Sequence, residues 1–279
     1  MKDMGLEKVG ALPRWLVMTI VVVLMAIPLI KPLGILPVIS ESTMDYYNAI
    51  DQLKPGDVVL FDIGFGSGGY PTLGPASIAI LRHCFSKDLK VVIMATQQEG
   101  AVIYPLIMDK VKPEEVYGAK YGEDYVFLGY IAGVQTAMAA VLGDLHSAAP
   151  VDYTGKSIDT LPMMANIKNA DDIDVVAYLT TAGEIAEGWV YQAYSRYKKT
   201  TCGGWLSMMT PSLKPYYDTG ALTGMLDGIR GAAEYEKLIG EPGDAMKTTD
   251  ILNLTQLWVL ILVILGNIAF FAARGKEVS

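Results

Sequence analysis

The sequence is poor in the residues that most often carry chemistry. It has two histidines, His83 and His146, and two cysteines, Cys84 and Cys202. A histidine-rich metal centre is thereby excluded. The cysteines form no Cys-x-x-Cys pattern, so neither a zinc ribbon nor a disulfide framework follows. No Gly-x-Ser-x-Gly elbow occurs, and with it goes the usual nucleophile turn of an α/β-hydrolase. Asp144, His146 and Ser147 supply the residue types of a triad, but they crowd one helix end, where their side chains diverge. A basic surface is also missing. Of the 22 Lys and Arg, six lie outside residues 40–250, and of the 30 Asp and Glu, three do, which leaves 16 against 27 and a net charge near −11 in between. Nucleic acid, whose phosphates require cations, is excluded as a partner. Flat docking on anionic lipid is disfavoured for the same reason. There is no repeat of fixed period and no low-complexity tract.

Two long apolar runs stand out against these absences. The first extends from Trp15 to Ile30 and continues through Lys31 into the half-apolar stretch to Ile39. The second extends from Ile251 to Ala273. At 1.5 Å per residue each is long enough to cross a hydrocarbon core of roughly 30 Å. The expected organisation is a tail over 1–14, a transmembrane helix with a kinked exit over 15–39, a water-soluble domain over 40–250, a second transmembrane helix over 251–273 and a tail over 274–279. A cleaved signal peptide is the competing reading of the first run. Pro28, Ile30, Lys31 and Pro32 replace the small residues of a cleavage site, which favours a retained anchor. Lys2, Lys8 and Arg14 precede the first run, and Arg274 and Lys276 follow the second. The positive-inside rule then places both termini in the cytoplasm and the domain outside.

Between the runs, short apolar strands alternate with helical stretches. Strands are expected at 57–64, 90–96, 124–129 and 174–180, with a fifth at 200–204. Helices are expected at 77–85, 99–112, 133–146 and 184–197. Near-continuous apolar strands are the mark of a sheet covered on both faces. The alternation predicts right-handed βαβ crossovers and a doubly wound, mostly parallel, Rossmann-like α/β sheet. Residues 147–173, with Pro150, Gly155 and Pro162, read as the return across the sheet.

The most conspicuous local motif follows the first strand: Asp62-Ile-Gly64-Phe-Gly66-Ser-Gly68-Gly69. A glycine-rich turn there lets backbone N–H groups approach a phosphate. Gly64-x-Gly66-x-x-Gly69 matches the dinucleotide fingerprint in form, but Pro71 and Pro75 are expected to delay the helix. Carboxylates at strand ends are the next candidates. Asp62, Glu99 and Glu184 are candidates to converge on the sheet rim with Thr180 and Thr181; the favoured alternative is that they are solvated loop charges and helix N-terminal acids, which fits Glu184 well. A second glycine series, Gly220, Gly224, Gly228 and Gly231, reads as a short strand with turns followed by a helix over 229–239, with Gly224, Gly228 and Gly231 offering close packing within or between chains. Arg230, Glu234 and Lys237 read as a solvated helix face. In the second run, Gly266 and Asn267 suggest a helix–helix contact in the membrane, the alternative being that Asn267 bonds its own backbone.

Four phrases carry a family resemblance: 120–130 (Lys-Tyr-Gly-Glu-Asp-Tyr-Val-Phe-Leu-Gly-Tyr), 150–155 (Pro-Val-Asp-Tyr-Thr-Gly), 161–164 (Leu-Pro-Met-Met) and 228–238 (Gly-Ile-Arg-Gly-Ala-Ala-Glu-Tyr-Glu-Lys-Leu). The chain resembles an uncharacterised prokaryotic family of membrane-anchored Rossmann-like proteins. That resemblance implies the two-anchor architecture and assigns no activity. The residues themselves favour a non-catalytic, membrane-tethered module that self-associates or scaffolds a membrane assembly. The alternative is a small-ligand- or nucleotide-binding domain, enzymatic or not, that uses the 62–69 loop. Membrane lipid and a second copy are the expected partners, and no cofactor is assigned.

Overall fold

The computed structural model describes residues 13–35 and 38–277. They fall into two compact units, Val38–Ala245 on the one hand and the residues up to Ile35 with those from Met246 onward on the other. In chain order the elements are α1 (Arg14–Ile30), α2 (Glu41–Asp51), β1 (Val58–Gly64), α3 (Tyr70–Ser86), β2 (Lys90–Ala95), α4 (Gly100–Val111), β3 (Tyr125–Tyr130), α5 (Gln135–Gly143), α6 (Leu145–Ala148), β4 (Val175–Thr180), α7 (Gly183–Trp189), β5 (Thr200–Trp205), α8 (Thr210–Asp218), β6 (Gly224–Asp227), α9 (Gly228–Leu238) and α10 (Asp244–Glu277).

All six strands run parallel, in the order β3-β2-β1-β4-β5-β6. Every residue of β1 and β4 is buried, as their unbroken apolar sequences require when helices cover both faces. Side chains of a strand alternate between faces. Val58, Leu60, Val92, Met94, Val126, Leu128, Val176 and Tyr178 share one core with α5, α7 and Leu213 of α8. Phe61, Ile63, Val91 and Ile93 occupy the other parity, towards the layer formed by α2, α3, α4 and α9. The segment from Ser147 onward brings the chain from edge strand β3 back to pair β4 with β1. It does so through three short 3-10 turns and the isolated bridge Val151–Ser157.

Two expectations about elements are corrected. Helix α3 opens at Tyr70 with Gly69 as its N-cap, so the prolines do not delay it. Pro71 lies in the first turn, where a missing N–H removes no intrahelical bond, and only Pro75 sits deeper. The helical face of 229–239 is solvated at Arg230 and Lys237 but not at Glu234. Glu234 is 1% exposed and accepts from Ser40 N and Oγ (3.0 and 2.6 Å) and Arg230 Nε (2.8 Å). These bonds hold its carboxyl below the usual range against the opposing effect of burial. The carboxylate thus ties the start of α2 to α9.

The first apolar run also falls short as a span. Among the described residues one helix is long and apolar enough to cross a membrane, Asp244–Ile268, with a mean hydropathy of 2.0. Helix α1 has 17 residues, about 25 Å. It stops at Ile30 because Lys31 precedes Pro32, and the residue before a proline is pushed to extended backbone; Lys31 has φ −146° and ψ 121°. In the same unit Asp250 is fully buried, and its carboxylate accepts the backbone N–H groups of Leu33, Gly34 and Ile35 at 2.6, 2.9 and 2.8 Å. Asn253 Nδ2 donates to the Ile35 carbonyl (2.8 Å). The segment after α1 is therefore fastened to the first turns of α10. Half-buried positions recur with helical spacing on both helices (Val17, Ile20, Leu24 and Ile251, Leu254, Trp258, Leu262), and the opposite faces expose Val22, Leu29, Leu260 and Ile264.

Candidate functional site

The strand order reverses between β1 and β4. In open parallel sheets the crevice outside the carboxyl ends of those strands is where ligands bind. The glycine-rich loop after β1 and the Thr180–Glu184 turn after β4 both lie there, as the sequence indicates. Each fingerprint glycine has a steric reason to be glycine. A Cβ on Gly64 would press on Leu179 O at 3.0 Å and on Thr180 and Ile185. One on Gly69 would meet Thr181 Cγ2 at 2.6 Å, and one on Gly66 would collide with the Glu99 carboxylate. Gly68 faces open space. Thr181 N donates to Gly64 O (3.3 Å), and Thr180 Oγ1 accepts from Ala182 N (3.0 Å), which shapes the facing turn. Glu184 is exposed in the first turn of α7, where the helix dipole favours an acid.

The loop is already closed by a carboxylate of its own chain. Glu99, just before α4, accepts from Ser67 N and Ser67 Oγ, both at 2.8 Å. Those two bonds lower its pKa. A phosphate approaching the Ser67 amide must therefore displace Glu99.

Asp62 corrects the expectation that it reaches the rim. It is wholly buried on the α7 side of β1 and accepts from Thr96 N (2.9 Å), Thr96 Oγ1 (2.7 Å) and Trp189 Nε1 (2.7 Å). Burial raises its pKa to about 6 although all three donors pull the other way. Asp62 ties β1, β2 and α7 together beneath the loop and does not meet Glu99 or Glu184. Thr96 and Trp189 were not singled out in the sequence. Nothing in their local pattern marks them, since one ends a strand and the other reads as a core aromatic.

The second glycine series is used inside the chain. A Cβ on Gly224 would strike the Tyr46 backbone of α2. On Gly231 it would meet Leu226 backbone at 2.9 Å, and on Gly228, at φ +54°, it would collide with Ser207 Oγ. In α10, Asn267 Nδ2 donates to Val263 O at 2.8 Å, so its amide bonds its own helix, while Gly266 has open space around it. Ser147 Oγ bonds Asp144, and His146 turns instead to Asp159, so the three residues diverge as expected. Cys84 and Cys202 are buried thiols. Among the described residues no three His, Cys, Asp or Glu converge as a metal site.

A further surface feature lies at the β3 edge of the sheet, where Tyr153 N donates to Phe127 O (3.1 Å). Beside β3 is a groove of about 560 Å³ lined by Ala101, Phe127–Ala132 and Ala148–Tyr153. Tyr130, Val151 and Tyr153 are exposed along it, and α4 exposes Val102 (71%) and Leu106 one turn apart. Its one ionisable carboxylate, Asp152, is turned inward to Tyr121, Thr154 and Lys156. Val102 and Leu106 lie on the helix that gives Ala101 to the groove, and periodicity alone assigns such an apolar pair at i and i+4 to a core.

Comparisons with protein-family models, curated proteins and solved structures return no match for this chain. The fold class, a six-stranded all-parallel α/β sheet of Rossmann-like order, rests on the topology alone.

Proposed function

We propose that the chain is a membrane-tethered, non-catalytic α/β module that self-associates, with α10 as a full span, the shorter α1 as a second apolar anchor, and the domain on the extracytoplasmic side. The observation that carries this reading is the apolar groove at the β3 edge. Monomeric surfaces rarely keep contiguous apolar patches without a partner. Apolar faces exposed along both α1 and α10 favour lipid around them. The test is the mass of the full-length protein in mild detergent, for wild type and for Val102→Asp with Leu106→Asp. Both positions are exposed, so the fold should survive. A wild-type dimer or larger oligomer that dissociates in the variant supports the reading. A monomeric wild type rejects it.

A second reading is favoured by one observation: α3 starts directly on Gly69, which gives the glycine loop the geometry of a dinucleotide site at the switch point. In that case Glu99 is the competitor of the ligand phosphate. Glu99→Ala should then increase NADH or ATP binding, measured by fluorescence titration and calorimetry. Absence of binding to both wild type and variant removes this alternative.

A further inference from the structure

We propose that His83 is an acid-sensitive pin, which holds α9 against α3 through the Tyr235 hydroxyl at neutral pH and releases it on protonation. His83 lies on α3 and is 4% exposed. Its Nδ1 lies 2.8 Å from the Tyr235 hydroxyl of α9, and its Nε2 lies 3.4 Å from Asp51 Oδ1, the last residue of α2. Tyr47 of α2 stacks on the ring at a centroid distance of 4.6 Å. One side chain therefore joins three helices.

The hydrogen-bond directions explain why protonation matters. A carboxylate only accepts, so Nε2 carries the proton and donates to Asp51, while Nδ1 accepts from the Tyr235 hydroxyl. When Nδ1 gains a proton it must donate to that same hydroxyl. The phenolic hydrogen then loses its acceptor in a site where Tyr235 is fully buried. The groups facing the ring are Tyr47 and Asp51 from α2, Lys87 from α3 and Tyr235 from α9; Tyr46, Cys84 and Cys202 lie around Tyr235. Burial raises the tyrosines and thiols, and hydrogen bonds from His83 with the nearby charge of Lys87 outweigh desolvation to lower Asp51, so none of these titrates near neutrality. Burial, aided by Lys87 and opposed by Asp51, lowers the His83 pKa. The neutral ring is then the folded form at neutral pH, and the stabilisation it gives is lost as pH falls through its lowered pKa. Helix α2 begins three residues after Val38 and α9 ends shortly before α10, so the pin sits between the elements that adjoin the two apolar segments in the chain.

The test is hydrogen exchange by mass spectrometry on the full-length protein in detergent, between pH 7.5 and 5.0, with rates corrected for intrinsic pH dependence. The expected result is at least tenfold faster exchange across Gly228–Leu238 at the acid end, with less than twofold change across Gln135–Gly143. His83→Asn keeps an acceptor near the Nδ1 position and cannot charge, so its α9 exchange should not vary with pH. Asp51→Asn, at an exposed position, removes the counter-charge of the imidazolium and should lower the midpoint of loosening by at least 0.3 pH unit; it decides the matter if the first variant does not fold. Unchanged α9 exchange in the wild type, equal loosening of α5, or the same pH profile in Asp51→Asn overturns the proposal.

Discussion

Asp62 and His83 are buried titratable groups whose burial acts in opposite senses on stability against pH. For Asp62 the folded pKa lies near 6, above the ordinary 3.8. Its neutral form suits the fold, and stability falls as pH rises through that value. A shift of about two units corresponds to roughly 3 kcal/mol. Asp62→Asn removes the charge but presents an amide N–H to one of three donors, at a cost of about 1–3 kcal/mol. The variant should therefore be less stable than wild type at pH 5 and close to it at pH 8. Denaturant midpoints at the two pH values check this, and an equal difference at both shows that Asp62 does not ionise in the folded protein. Comparing variant with wild type at each pH cancels the contribution of His83, which runs the other way.

At the scale of elements, the glycines separate those that pack from those that merely turn. Gly224 lies where β6 meets α2, and a methyl there would enter the Tyr46 backbone, which has no rotamer to relieve it. Gly224→Ala should cost about 1–3 kcal/mol. Gly68 has open space and no left-handed backbone, so Gly68→Ala should change stability by less than about 0.5 kcal/mol. Thermal melts of the two variants decide it; equal losses would mean that the β6–α2 contact is not tight. The same distinction explains what could be read in advance. Strands β1 to β4 announce themselves because a strand covered on both faces needs an unbroken apolar run, and Asp57–Gly64 or Asp174–Thr180 can hardly be anything else; β5, with Thr200, Thr201, Gly203 and Gly204, is marked far less. Helix α2 is not marked in the sequence because Glu41–Asp51 is polar on balance, and its burial against β6 and α9 is a tertiary event. The start of α3 is hidden because Pro71 looks like a breaker wherever it stands, and only its position in the first turn makes it harmless. The site was half legible. The glycine loop and the Thr180–Glu184 turn follow from strand order. That Glu99 crosses 32 residues to hold Ser67, or that Asp62 points to Trp189 and away from the rim, depends on the register between strands, which no local pattern contains.

At the scale of the molecule, Val38–Ala245 holds all six strands and both helical layers, and every strand is paired within it. A domain of this size buries about 70% of the surface its unfolded chain exposes, enough to fold alone. The long exposed apolar faces belong to α1 and α10, outside that unit, and removing them takes away the main cause of aggregation in water. A fragment spanning 38–245 should therefore be soluble and melt cooperatively by circular dichroism, with the near-ultraviolet signal of packed Trp189 and Trp205 lost in the same transition. A fragment that aggregates or melts without cooperativity would show that the domain needs its apolar segments to fold. The mass of the folded fragment then locates the contact in self-association. A dimer that Val102→Asp with Leu106→Asp separates puts the contact at the β3 groove. A monomeric fragment from an oligomeric full-length protein moves it to the apolar segments, where Gly266 is the open position and Asn267 is already satisfied by its own helix. There Gly266→Leu alone should weaken the oligomer, by on the order of 1 kcal/mol, because close approach of helices in lipid depends on small residues.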